Sequence, residues 1–347
     1  MESNFARFPR WAALFLLVAL AALIAYGVAA PPFPLPPVAT GADSSKSDVA
    51  LYRAVLRRAE GGEDFYQATA VEQRTRGYPL RPFVTVRPPW FTHFVVAVGG
   101  VTTAKLVFQA LVVSAGVLFA LRLIVLVPSR AIALAAALGA LTFLFVASVP
   151  IFYFEAWSAA LVLLSLACWS RRTWGLSLAL GLIAALLREL VAPFLLVMLA
   201  MALWERRRAE ATAWLAAIGV FASALWVHAA KVHAVTTLAD KASPGWVGSG
   251  GWSYIIRMVH EHSALVILPL WIAAVVLPLT LLGWASWRHP LAHRATLYLG
   301  GFIATFLLIG RRNTAYWGML LTSLLLIGVA FAPSAILTLS RRVRRVA

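Results

Sequence analysis

Apolar residues in this chain gather into long runs separated by short polar breaks, and one break is much longer than the others. The first run, Trp11 to Ala30, follows Arg7 and Arg10 and is 20 residues long. At 1.5 Å per helical residue it crosses a hydrocarbon core of about 30 Å. Gly27-Val28-Ala29-Ala30 offers the small residues of a signal-peptidase site, but the run exceeds an ordinary signal-peptide core and reads as a first membrane helix. Trp90 to Val127 is too long for one span. Gly99-Gly100 divides it into a short interfacial or re-entrant helix and a span over Thr103 to Leu126. Further spans are predicted at 131–149, 155–169, 174–187, 190–204, 212–230, 263–283, 296–310 and 314–333.

Charge settles the count where hydropathy leaves it open. The stretch 174–204 reads equally as one long helix or two, but Arg171-Arg172 precedes it and Arg206-Arg207-Arg208 follows it. Both clusters belong on the cytoplasmic side, so the stretch must cross twice, with Arg188-Glu189 at an outer tip. The prediction is an all-α integral membrane protein of about ten spans in one polytopic domain over residues 1–347, both termini cytoplasmic, in the inner (plasma) membrane.

The long break, residues 31–89, is then an extracytoplasmic loop. It opens Pro-rich and becomes helical near Asp48, with Val49, Tyr52, Leu56 and Ala59 or Glu60 at helical spacing and Ser47 as N-cap. This helix is expected to lie along the membrane surface, its apolar side toward lipid or the bundle. Also on the outer side fall the turn Pro150 to Glu155, the Arg188-Glu189 tip, the Gly- and Trp-rich loop 231–263, and the turn Arg311-Arg312-Asn313. The two arginines of that last turn break the positive-inside rule, and violations of a topology rule mark candidate functional residues.

Composition agrees with a membrane protein: 62% hydrophobic, 12% charged, mean hydropathy +0.84. The net charge of +17 invites a nucleic-acid reading. The basic residues sit in short clusters between apolar runs, including Arg341 to Arg345, so nucleic acid is excluded as a partner. Cys168 stands alone in an apolar helix as a small buried thiol. Trp11, Trp90, Trp174, Trp204, Trp284 and Trp317 lie at helix ends and suit interfacial belts. His260-Glu261-His262 is a poor metal site, because residues two apart on a helix point to different sides. Lys105 and Arg122 read as snorkelling span residues, and His289 and His293 as cytoplasmic loop residues.

Glu155 and Glu189 stand apart among the acidic residues, at the edges of apolar spans where a carboxylate needs a partner or water. An arginine pair for Glu189 and a helix-dipole role for Glu155 are the structural alternatives. Asp48, in the first turn of its helix, has the same alternative.

The loop itself reads Asp48-Val-Ala-Leu-Tyr52, then Gly62-Glu-Asp64-Phe65-Tyr66, then Gly77-Tyr78-Pro79, then Arg87-Pro88-Pro89 before the next span. In these motifs, over roughly residues 45–90, the chain resembles the GT-C superfamily of polytopic glycosyltransferases, specifically mannosyl-, arabinosyl- and aminoarabinose-transferase-like membrane proteins. Elsewhere the resemblance is topological. It implies a polyprenyl-phosphate sugar as donor and a glycan, lipid or protein acceptor at the outer face. It implies Asp48 as catalytic base, Glu155 as a second acidic residue for acceptor or metal, and Arg188, Arg311 and Arg312 as ligands of the donor phosphate. Arg87, Glu189 and Asn313 complete the candidate binding set, with Tyr52, Tyr66 and Tyr78 offering rings and hydroxyls to sugars. The chain departs from the family in its shortness and in lacking an Asp-X-Asp pair, so a divalent metal is left open as cofactor. Two rival readings remain: a transporter or flippase of lipid-linked sugars, and a non-enzymatic subunit of an envelope assembly. The first predicts repeated halves with broken midplane helices, which this sequence lacks.

Overall fold

The computed structural model describes residues 2–34, 47–246, 248 and 250–344. These are 79% helix, with no strand among them. In chain order the helices are α1 (Arg10–Ala29), α2 (Asp48–Glu60), α3 (Phe65–Thr75), α4 (Trp90–Ala97), α5 (Val101–Leu126), α6 (Arg130–Leu141), α7 (Phe154–Cys168), α8 (Trp174–Leu187), α9 (Ala192–Trp204), α10 (Arg208–Val235), α11 (Gly251–Glu261), α12 (Leu270–Ser286), α13 (Pro290–Leu308), α14 (Met319–Val329) and α15 (Ala332–Arg344). Residues 35–46 of the Pro-rich loop, Val247, Ser249 and Arg345 lie outside the described residues.

Five helical segments are long and apolar enough to cross a membrane: α1, α5, α6 with its 3-10 extension to Ser148, α10 and α13. Four shorter apolar helices, α7, α8, α9 and α12, pack among them. The fold is therefore that of a multi-pass helical membrane protein.

Several predicted spans shift. The stretch 263–283 begins with a 3-10 turn, and its helix is α12, starting at Leu270. The stretch 314–333 divides into the 3-10 turn Arg312–Gly318, α14, and α15, with the last bent away by 58°. The loop 231–263 is helical at both ends: α10 continues to Val235, and α11 buries Tyr254, Ile255, Met258 and Val259. Its lone glycines and tryptophans suggested irregular chain, whereas its amphipathic second half packs on α12 and α13.

Small residues let helices approach closely, as packing within lipid requires. A Cβ on Gly283 of α12 would fall 1.8 Å from the carbonyl oxygen of Gly328 on α14. One on Gly139 of α6 would fall 2.7 Å from the backbone of Leu326, so α14 is clasped from two sides.

Polar contacts cluster at two poles joined by the helices. At the first, Asn4 donates to Ala285 O at 2.9 Å, the Arg288 amide to Glu2 O at 3.0 Å, and Arg294 to Glu205 at 2.6 Å. Arg342 reaches Ala6 O there, bringing both ends of the described chain together. Arg122 is engaged at this pole too, with the carbonyls of Ala167 and Trp169, so it closes the end of α7 and does not snorkel. His289 caps α13, accepting from Leu291 N, so it is a helix-start residue and not simply part of a loop. Trp284, expected in an interfacial belt, is fully buried with its indole donating to Leu324 O at 2.8 Å. Cys168 ends α7 and is only partly covered.

At the second pole the segment 236–244 straps across residues 78–81. The Leu80 amide donates to Lys241 O at 3.0 Å and the Ser243 amide to Arg81 O at 2.7 Å. A bidentate pair from Arg74 to Asp240, at 2.7 and 2.8 Å, clamps the strap. Those hydrogen bonds hold the Asp240 carboxyl well below the ordinary aspartate range. A depressed carboxylate stabilises above its unfolded pKa, about 3.9, and that stability is lost as pH falls below it. Arg74 is 41% exposed, so solvent screening limits the pair to about 1 kcal/mol. Asp240→Asn is expected to raise amide exchange at Leu80 at pH 7 and to remove its acid dependence; unchanged exchange would refute the clamp.

Candidate functional site

A cavity of about 320 Å³ opens at the second pole. Five separate stretches build it: Asp48 and Tyr52 of α2, residues 73–87, the break between α8 and α9, Ser243 of the strap with Trp246 just past it, and Ile309 to Trp317. Three guanidiniums, of Arg87, Arg188 and Arg311, face two carboxylates, of Asp48 and Glu189.

Helix capping places the first of these groups. Ser47 Oγ accepts from Ala50 N at 3.2 Å, which starts α2 at Asp48. The two glycine motifs of the loop are Schellman caps. Gly62, at φ +84°, ends α2 with the Glu63 amide donating to Arg58 O at 3.1 Å. Asp64 then caps α3 through Tyr66 N and Gln67 N, both at 3.0 Å. Gly77, at φ +69°, ends α3, and the Tyr78 amide donates to Gln73 O at 2.8 Å. This second cap aims the Tyr78 ring back over α2, where its hydroxyl donates to Asp48 Oδ1 at 2.7 Å.

Burial, then the charge of Asp48 and the hydrogen bond itself, push the Tyr78 phenol above the ordinary tyrosine range. It therefore stays a donor at any physiological pH and orients the carboxylate it holds.

Arg188 ends α8 and is 1% exposed, so the expected outer tip is an interior break. Its guanidinium pairs with Glu155 and with Glu189 and lies 5.9 Å from the centre of the Trp317 ring. Glu155, also 1% exposed, does not line the cavity; it stands behind Arg188. The expected contact of Glu155 with acceptor or metal is thereby corrected: its side chain neutralises a buried arginine. Trp317 is likewise buried beside the cavity and is no belt residue.

Arg87 donates to the Tyr316 hydroxyl at 3.2 Å and stands 3.6 Å from Glu189. Arg311 donates to Ser243 Oγ and Pro244 O and lies 5.3 Å from the centre of the Trp246 ring. Of the cavity's guanidiniums, Arg311 is the one with no carboxylate partner among the described residues. Two predicted residues fall elsewhere. Arg312 is exposed and off the lining, and Tyr66 is turned toward α10, its hydroxyl 3.2 Å from His228 Nδ1. Asn313 does line the cavity.

Gln73, Tyr316, Ser243 and Trp246 join the site without having been singled out. Tyr316 had a signal, lying one helical turn past the unexpected outer arginines; Gln73 had none. Among the described residues no three His, Cys, Asp or Glu side chains converge as a metal site. The donor set argues likewise, since Glu155 and Glu189 both engage Arg188. His260 and His262 each meet a backbone carbonyl, of Leu268 and Met258.

Residues lining the cavity also carry buried polar atoms with no hydrogen-bond partner among the described residues: Gln73 Oε1, Thr85 Oγ1, Arg87 Nε, Glu189 Oε2, Arg311 Nε and Trp317 Nε1. An unmet buried polar atom costs about 1–3 kcal/mol, and six of them sit on residues that line this one cavity. Compared with known protein families, curated proteins and solved structures, the chain matches none.

Proposed function

We propose that this protein is a membrane glycosyltransferase that moves a sugar from a polyprenyl-phosphate donor to an acceptor hydroxyl at the outer face of the inner membrane. One observation carries the reading: a single cavity sets a tyrosine-held carboxylate, Asp48, among guanidiniums, aromatic faces and unpartnered polar atoms. The acceptor oxygen attacks the anomeric carbon, and its proton passes to the Asp48 carboxylate. The bond between that carbon and the phosphate oxygen breaks on the opposite face, giving inversion. The departing polyprenyl phosphate gains a negative charge, which Arg311 and Arg87 stabilise. No strong general acid is needed, because a phosphate leaves already ionised.

The topology proposed with it has ten crossings, α1, α5 to α10 and α12 to α14, with both termini on the cytoplasmic side. Contacts at the two poles support it. The N-terminus, the predicted cytoplasmic turns 169–174, 204–208 and 287–290, and α15 meet one another at the first pole. The cavity and strap lie at the other.

Transfer of labelled sugar from a synthetic polyprenyl-phosphate donor to membrane extract tests the activity. Absence of transfer across mannosyl, arabinosyl and aminoarabinosyl donors, with donor binding also absent, would overturn it. Arg311→Ala combined with Arg87→Ala is expected to weaken donor binding at least tenfold, measured with a fluorescent donor. Unaltered affinity would remove the phosphate site.

A further inference from the structure

The first pole holds a second cavity, about 360 Å³, unrelated to the candidate active site. It lies where α9 turns into α10 and is lined by Ala202, Leu203, Arg206, Arg207, Arg208 and Ala211. Arg207 is neutralised within the fold, paired with Glu210 and Glu205 and set 5.5 Å from the centre of the Trp169 ring. Arg206 and Arg208 differ: both are exposed, and no carboxylate pairs with either among the described residues. Arg206 adopts φ +57°, a left-handed conformation rare for a side-chain-bearing residue. The turn is followed by α10, 28 residues long, whose N-terminus receives no side-chain cap. Its unsatisfied amides and dipole add positive potential beside the two free guanidiniums.

The apolar surroundings define the ligand. Leu203 is 61% and Trp204 84% exposed on the same turn, and Leu215 on α10 is 60% exposed. These side chains need lipid, and a tryptophan at this level marks the interface. A basic concavity at the interface, walled by apolar chain, matches a phosphate with acyl chains attached.

We propose that Arg206 and Arg208, with the N-terminus of α10, form a binding site for the phosphate of an anionic phospholipid at the cytoplasmic face. The site stands independently of sugar transfer. Positive-inside topology alone would place arginines here, but it does not require two unpaired ones to converge with an open helix end on one cavity.

The test is native mass spectrometry of the full-length protein in detergent, titrated with phosphatidylglycerol, phosphatidylcholine and inorganic phosphate. Phosphatidylglycerol is expected to bind at least tenfold more tightly than phosphatidylcholine, and Arg206→Ala with Arg208→Ala to abolish that preference. Equal binding of the two lipids to the parent protein overturns the proposal without any variant. So does a preference retained by the double variant. Inorganic phosphate binding as tightly as phosphatidylglycerol would also overturn it, by showing a soluble-anion site.

Discussion

Asp48→Asn is expected to lower the rate of sugar transfer by about 10²–10⁴, the usual contribution of a positioned base. Asparagine matches the carboxylate in size, and its carbonyl oxygen can still accept from Tyr78, whose hydroxyl lies 2.7 Å from Asp48 Oδ1. Ser47 continues to cap α2. The substitution therefore removes the proton acceptor and leaves the cavity in place, so donor affinity should stay within about twofold while turnover collapses. Initial rates with labelled donor, alongside equilibrium donor binding, separate the two effects. A variant that transfers at the parent rate would show that another group takes the proton, or none does.

Arg188→Ala should instead break the site from beneath. Glu155 is 1% exposed, and its carboxylate is paired with Arg188, so truncation strands a charge where water cannot reach it. Removing one partner of such a pair costs about 3–5 kcal/mol. A large fall in melting temperature in detergent is expected, with loss of donor binding because Glu189 and Trp317 lose their shared neighbour. Replacing both partners, Arg188→Met with Glu155→Leu, should recover most of the stability, since a buried pair is often no more stabilising than apolar packing. Activity should not return with it. A single variant as stable as the parent would mean that water or another cation reaches Glu155.

Much of the polar segment that carries α2 and α3 was readable because its instructions are local. Ser47, Gly62, Asp64 and Gly77 act on amides within a few residues, so α2 and α3 start and stop where capping chemistry dictates. The same residues explain why the loop looked like a functional motif: its glycines are helix stops, whereas Asp48, Tyr52, Tyr78 and Arg87 of those motifs line the cavity. Gly99-Gly100 likewise separates α4 from α5, as the apolar run length required.

The errors share a cause. Trp284, Trp317 and Arg122 were read from hydropathy, and the role of Glu155 from a resemblance; neither reports whether lipid, a cavity or another helix faces a residue near an apolar run. In a chain 62% hydrophobic those two surroundings look alike in the sequence.

By itself, then, the sequence determined an all-helical membrane chain, most of the breaks between its helices, and a long segment rich in polar groups between the first two apolar runs, because run length and capping act over one or two turns. Only the tertiary structure decided that Arg188 lies buried on Glu155, that Arg311 is the cavity arginine with no carboxylate partner among the described residues, and that Tyr66 and Arg312 turn away. Those outcomes depend on contacts between residues 33 to 162 positions apart, set by how apolar helices pack against one another. That packing depends on the fit of small residues such as Gly283 against Gly328, which hydropathy does not register.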